Sequence, residues 1–98
     1  MKPVAYHCEA DVELVAAAKN YRCQREVQGR KFLHAVHLVL SEIQKEPKRF
    51  PFFDRPARSR QVVGFPYRIV FEELDDCIHI VAVMHVSREP GYWKKRLD

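Results

Sequence analysis

The sequence predicts a single α+β domain, residues 1–98, in which an N-terminal helical hairpin packs on one face of a small antiparallel β-sheet. In the first half, two segments repeat apolar residues with helical spacing, whereas the second half is rich in β-branched and aromatic residues. A chain of 98 residues, 47% of them hydrophobic, is large enough for one hydrophobic core. A short basic and aromatic segment follows the last predicted strand.

The two helices are predicted from their apolar stripes. Glu9–Cys23 begins with acidic residues, which suit the positive N-terminal end of the helix dipole. A polar joint at Gln24–Arg30, with Gly29 as its breaker, leads into a second helix that ends before Pro47. The spacing i, i+3, i+4, i+7 gives the first helix the stripe Leu14, Ala17, Ala18 and Tyr21. The second helix has the stripe Phe32, Val36, Val39, Leu40 and Ile43.

Four strands are predicted from short apolar runs bounded by turn residues. They are Val4–His7, Arg60–Gly64, Tyr67–Leu74 and Cys77–His85. We expect Lys48–Arg60 to be a basic loop whose FPFF motif, Phe50–Phe53, folds onto the core. Tyr92–Leu97 is expected to form a short terminal helix or strand.

The last two strands form a hairpin if Asp75 and Asp76 are its two turn residues. Tyr67 then pairs with Met84 and Arg68 pairs with Val83. Because side chains alternate between faces, the face toward the helices would carry Tyr67, Ile69, Phe71, Ile78, Ile80, Ala82 and Met84. The opposite face would carry Arg68, Val70, Glu72, His79, Val81, Val83 and His85. This register predicts that Arg68 and His85 are diagonal neighbours on one uncovered face and that Glu72 lies opposite His79.

The charge distribution favours a partner rich in phosphate or carboxylate. The net charge is +4, and the basic residues concentrate in two segments, Lys45–Arg60 and Arg88–Arg96, that flank the hairpin. No apolar run approaches the roughly 20 residues of a membrane span. The three cysteines are widely spaced without a CxxC motif, and the histidines lack metal-ligand spacing. We therefore expect a cytoplasmic protein without a metal or a cofactor.

Several motifs resemble those of the ParE/RelE superfamily, the toxins of bacterial type II toxin–antitoxin (plasmid stabilization) systems. They are FPYRIVF at 65–71, IHIVAVMH at 78–85 and RxPxYWxxR at 88–96. The A-x-x-E-L motif at 10–14 also fits the opening helix of that superfamily. The resemblance covers nearly the whole chain, and its C-terminal half is the more specific part.

This resemblance implies a toxin that inhibits growth and is neutralised by a cognate antitoxin carrying an extended acidic segment. The first interpretation is a RelE-like enzyme, a metal-independent endoribonuclease that cleaves mRNA in the ribosome. One alternative is a ParE-like inhibitor of DNA gyrase that acts by protein binding. Another is a toxin fold with weak or lost activity.

The ribonuclease interpretation assigns roles to particular residues by the same resemblance. The candidate catalytic residues are Arg68, His85, Arg88 and Tyr92. His85 would move a proton near neutral pH, and the arginines would hold the phosphate. The candidate substrate-binding residues are Arg58, Arg60, Trp93 and Arg96. Arg58 and Arg60 stand roughly where RelE-like enzymes carry lysines, and arginine is a poor general acid or base.

Overall fold

The computed structural model describes residues 1–98 and has two helices packed on a five-stranded sheet. The helices are α1 (Cys8–Gln24) and α2 (Glu26–Lys45). The strands are β1 (Val4–Tyr6), β2 (Phe52–Asp54), β3 (Ala57–Gln61), β4 (Tyr67–Glu73) and β5 (Ile78–His85). The sheet order is β1-β5-β4-β3-β2, in which β1 runs parallel to β5 and the other pairs are antiparallel. The predicted α+β fold is confirmed, and neither helix is long and apolar enough to cross a membrane.

The helical hairpin is tighter than the sequence predicts. Only Arg25 separates α1 from α2, so the expected joint at 24–30 is wrong. Gly29 lies inside α2 and is buried against α1, where an added Cβ would be 2.8 Å from the Cβ of Arg22. The glycine therefore serves the close approach of two helices rather than the end of one. Packing between the helices outweighs the low helix propensity of glycine.

The main core lies between the helices and the sheet. Four aromatic rings meet at one end of it with centroids 5.0 to 6.2 Å apart, those of Tyr21, Phe32, Phe65 and Tyr67. The buried apolar residues include Ala10, Ala17, Phe32, Val36, Val39, Ile43, Phe50, Val62, Ile69, Phe71, Ile78, Ile80 and Val83. Phe50 is buried as expected, but Phe52 and Phe53 are partly exposed and contribute to β2, a strand that the sequence did not predict. Strand β3 also begins earlier than predicted, at Ala57.

A β-bulge at Val81 changes the register of the central hairpin. The predicted pairing is confirmed near the turn, where Leu74 N donates to Cys77 O at 2.9 Å and Phe71 pairs with Ile80. Beyond that point Val70 pairs with Ala82, so Val81 is an extra residue in β5. A bulge of one residue inverts the side-chain alternation of the rest of the strand.

The predicted faces are therefore wrong for the last residues of β5. Val83 joins the main core and His85 lies beside Tyr67, with ring centroids 5.1 Å apart, on the helix side. Ala82 and Met84 lie on the opposite side. Arg68 and His85 are consequently on opposite faces, and their predicted proximity is wrong. The predicted Glu72–His79 pair, which precedes the bulge, is confirmed with Nδ1 and Oε2 2.7 Å apart.

The face away from the helices carries a second, smaller core. The C-terminal segment covers it and inserts Trp93, which is 1% exposed. The face that the sequence analysis treated as uncovered is therefore closed along part of its length. The buried residues of this second core are Ala57, Val70, Val81, Ala82, Met84 and Trp93.

We predict that Gly29→Ala destabilises the protein by about 1–3 kcal/mol, because overlap of its Cβ with Arg22 outweighs the gain of roughly 1 kcal/mol in helix propensity. Arg30→Ala, at the exposed neighbouring position of α2, is the control and should change stability by less than about 0.5 kcal/mol. Urea unfolding measures both. A more stable Gly29→Ala variant would contradict the packing account.

Candidate functional site

The Glu13 carboxylate binds three groups from distant parts of the chain. Oε1 accepts hydrogen bonds from Val83 N at 3.0 Å and from Arg96 Nη1 at 2.9 Å. Oε2 accepts from Tyr92 Oη at 2.8 Å and from Arg96 Nη2 at 3.2 Å. We call Glu13, Tyr92, Arg96 and the Val83 amide the Glu13 cluster. It fixes the C-terminal segment to helix α1 and strand β5.

The Glu13 cluster closes an open edge of the sheet. Strand β1 pairs only with residues 78–80 of β5, so the following backbone groups of β5 have no strand partner on that side. Glu13 satisfies the amide of Val83, and Arg96 Nη1 donates to the carbonyl of Val81 at 3.2 Å. Side chains thus replace the missing strand.

Tyr92 is held as a hydrogen-bond donor. Burial raises its pKa above the ordinary value of 10.0, and the hydrogen bond to Glu13 and the charge of Glu13 raise it further, against a smaller opposing effect of Arg88 and Arg96. The guanidinium of Arg88 lies 3.9 Å from the centroid of the Tyr92 ring, a cation–π distance. The hydroxyl of Tyr92 is therefore protonated near neutral pH and cannot accept a proton there.

His85 lines a cleft of about 310 Å³ on the helix side of the sheet, which we call the His85 cleft. Its Nδ1 accepts from Ser87 N at 3.1 Å and lies 2.7 Å from Ser87 Oγ. Because Nδ1 accepts from the Ser87 amide, the neutral ring carries its proton on Nε2, which can donate a hydrogen bond. The cleft is lined by Glu13, Ala16, Ala17, Asn20, Tyr67, Val83, His85 and Arg88.

Arg68 is a residue of β4, and its side chain lies on the face of the sheet away from the helices. Its Nε and Nη2 donate to the buried hydroxyl oxygen of Ser59 at 3.1 and 2.9 Å. The guanidinium carbon is also 5.6 Å from the centroid of the Phe53 ring. These contacts link β4 to β3 and β2, and they give Arg68 a structural role.

Two candidate substrate-binding residues, Trp93 and Arg58, are engaged within the protein, whereas Arg60 forms only a long ion pair. Trp93 is buried and stacks on Phe53, with centroids 6.0 Å apart and ring planes at 26°. Arg58 donates to the carbonyl of Phe50 at 2.7 Å. Arg60 extends toward α2, where its Nη2 is 3.7 Å from Oε1 of Glu42.

The structure therefore divides the candidate residues among three places. His85 and Arg88 share the His85 cleft, and Tyr92 and Arg96 adjoin it through Glu13. Arg68 and Trp93 lie on the opposite face, whereas Arg58 and Arg60 lie on β3. Sequence reasoning missed Glu13, Ser59 and Ser87 as partners of these residues. Only Glu13 carried a signal, as the acidic residue of the A-x-x-E-L motif.

No protein-family model and no curated protein matches this chain. A solved structure does match it, a chain of the chromosomal ParDE TA system from P. aeruginosa, with a TM-score of 0.74. The superposition covers 87% of this chain and 96% of that chain. This chain therefore shares the fold of that ParDE chain. Because the two sequences are 15% identical, the likeness concerns the ParE/RelE fold and does not assign roles to residues.

We predict that Glu13→Ala destabilises this fold by about 2–4 kcal/mol, because part-buried Arg96 loses its main carboxylate partner and two further donors lose their acceptor. Glu9→Ala is the matched control. Glu9 lies one turn earlier and its Oε2 is 3.5 Å from the same arginine, but its side chain is 66% exposed. The control should cost less than about 1 kcal/mol in urea unfolding. Equal losses would contradict the assigned role of Glu13.

Alkaline pH should destabilise the wild-type protein more than the Tyr92→Phe variant. The raised pKa of Tyr92 means that its hydroxyl ionises in the unfolded chain first, from pH 10.0 upward, so unfolding is favoured as the pH rises. Burial also raises the pKa values of Tyr6, Tyr21 and Tyr67, so the variant keeps part of the effect. Urea midpoints between about pH 8 and pH 11 measure the difference. Parallel losses in the two proteins would contradict it.

Proposed function

We propose that this protein is the toxin of a type II toxin–antitoxin module. The support is threefold: the ParE/RelE fold, the three C-terminal motifs, and the solved ParDE TA chain that superposes on 87% of this chain. The net charge of +4 suits an acidic antitoxin. The antitoxin is therefore the first expected partner.

We further infer that the toxin acts by binding a protein, as ParE-like inhibitors of DNA gyrase do, rather than by cleaving RNA. The observation that carries this inference is the separation of the candidate catalytic residues. The side chain of Arg68 lies on the face of the sheet away from the helices, whereas His85 lines a cleft on the helix side. Metal-independent RNA cleavage requires a base, an acid and a cation converging on one phosphate. The bulge at Val81 turns His85 away from the face that carries Arg68.

The occupied hydrogen-bonding groups support the same inference. Tyr92 donates to Glu13, and both Nε and Nη2 of Arg68 donate to Ser59. Trp93 is buried and offers no face on which a base could stack. An RNA substrate that used Tyr92 or these nitrogens of Arg68 would have to displace their hydrogen bonds to Glu13 and Ser59.

RNA cleavage remains the second candidate because of the His85 cleft. The imidazole of His85 and the guanidinium of Arg88 line one cavity, which also contains Asn20. An imidazole that donates through Nε2 could protonate a leaving oxygen, and the arginine beside it could hold a phosphate. A ribosome-dependent ribonuclease would therefore use His85 and Arg88 rather than Arg68.

Expression of the toxin in bacteria tests the two modes. Under protein binding, we expect growth arrest with intact mRNA, inhibition of supercoiling by purified gyrase, and toxicity of His85→Gln within about twofold of wild type. Under RNA cleavage, loss of general acid–base catalysis should reduce activity about 100-fold or more in the same variant. Mapping of mRNA 5′ ends and a gyrase supercoiling assay measure the outcomes.

The matched control is His37→Gln, which changes an exposed histidine of α2 outside the His85 cleft. Circular dichroism establishes that both variants are folded. Cuts in translated messages that disappear in His85→Gln but persist in His37→Gln would overturn the protein-binding inference and favour the ribonuclease. A protein that neither arrests growth nor binds an antitoxin would overturn the proposed toxin itself.

A further inference from the structure

The outward side of α1 carries exposed apolar residues that no other part of the chain covers. Val12 and Val15, one turn apart, are 66% and 60% exposed. The opposite side of the helix already packs on the main core through Ala10 and Ala17. A surface helix usually has polar residues on the side away from its core. The two valines therefore indicate that the outward side of α1 is a contact surface.

These valines belong to a stripe that is nearly the same from either end of the helix. At about 100° per residue, its six members lie within about 50° of one direction. They are placed symmetrically about the midpoint between Val15 and Ala16, so that Val12 mirrors Lys19 and Cys8 mirrors Cys23. We call this set the α1 stripe, and all its members are exposed: Cys8, Val12, Val15, Ala16, Lys19 and Cys23.

The charges of α1 have opposite signs at the two ends of the stripe. Glu9 and Asp11 lie in the first turn, whereas Lys19 and Arg22 lie near the C-terminal end. If a second α1 packs antiparallel on the first, each acidic end meets a basic end and the two helix dipoles oppose one another. In a parallel arrangement, like charges would meet at both ends. The stripe is therefore complementary to an antiparallel copy of itself.

We propose that the α1 stripe is a self-association surface, on which the α1 helices of two copies pack antiparallel about a two-fold axis. A two-fold interface uses the same patch on both copies. Val15 of each copy would pack on Ala16 of the other, where the small alanine side chain lets the helices approach closely. Cys8 would lie opposite Cys23 of the second copy. Such a dimer goes beyond the proposed function, because self-association does not depend on the target of the toxin.

The size of the contact decides what kind of dimer to expect. Two single helices bury less than the roughly 1,200 Å² at which standard interfaces begin. We therefore expect a reversible dimer whose population rises with protein concentration. The α1 stripe has no residue in common with the largest cavity, which is lined by α2 and the segment that joins β3 to β4.

Other occupants fit the α1 stripe less well. Nucleic-acid binding depends chiefly on phosphate contacts, which the two valines cannot make and which Glu9 and Asp11 oppose. A helix that lies on a membrane inserts a broad apolar face, but the main apolar face of α1 is already buried against the core. A second copy matches both the apolar middle and the opposite charges of the two ends.

Crosslinking of the two exposed cysteines tests the arrangement. The full chain is treated with a short bis-maleimide in a Cys77→Ser background, which leaves Cys8 and Cys23 as the only thiols. A covalent dimer should form. Adding either Cys8→Ser or Cys23→Ser should abolish it, because identical cysteines of the two copies would be about 22 Å apart. Mixing these two variants should restore it, since each supplies the thiol that the other lacks.

Sedimentation equilibrium measures the same contact without a crosslink. Val15→Asp should weaken dimerisation by about tenfold or more, because it places a carboxylate in the apolar middle of the interface. Val63→Asp is the matched control, since Val63 is 65% exposed but lies outside α1, and it should change dimerisation by less than about twofold. Urea unfolding establishes that both variants remain folded.

Several outcomes would overturn the proposal. They are a chain that stays monomeric at about 1 mM, a covalent dimer of the variant that retains only Cys8, which would indicate parallel helices, and equal losses of dimerisation in Val15→Asp and Val63→Asp. Growth arrest by a wild-type chain that remains monomeric would overturn this inference and leave the proposed toxin function standing.

Discussion

The carboxylate of Glu13 joins three distant parts of the chain: helix α1, strand β5 and the C-terminal segment. It accepts four hydrogen bonds, from the backbone of β5, from Tyr92 and twice from Arg96. A short C-terminal segment with one turn of 3₁₀-helix has little stability of its own. The contacts of Arg96 and Tyr92 with α1, together with Trp93 in the second core, hold this segment against the back of the sheet.

The β-bulge at Val81 is the second constraint, and it acts on the site directly. It turns Val83 and His85 toward α1, so the amide of Val83 reaches Glu13 while His85 opens into the cleft beside Arg88. The same bulge leaves Arg68 on the far face with Ser59. Bulges are frequent beside functional sites because they redirect side chains at little cost to the rest of the sheet. Here the bulge determines which basic residues can act together.

These constraints determine which charged side chains remain free to meet a partner. The residues with catalytic chemistry are divided by the sheet or committed to internal contacts, whereas the largest cavity has an apolar middle and a basic rim. The His85 cleft is the exception, since it joins an imidazole and a guanidinium in one cavity.

The sequence by itself determined the two amphipathic helices, the Asp75–Asp76 turn and the Glu72–His79 pair, because periodicity and turn chemistry are local properties. Its motifs also sufficed to predict the ParE/RelE fold, which the structural comparison confirms. Only the tertiary structure decided the role of Gly29, the position of His85 and the partners of Arg68, Tyr92 and Arg96. A bulge leaves no periodic signal, and a hydrogen bond between residues 13 and 96 depends on how distant elements pack. The candidate residues could be named from the sequence, but their arrangement in space could not.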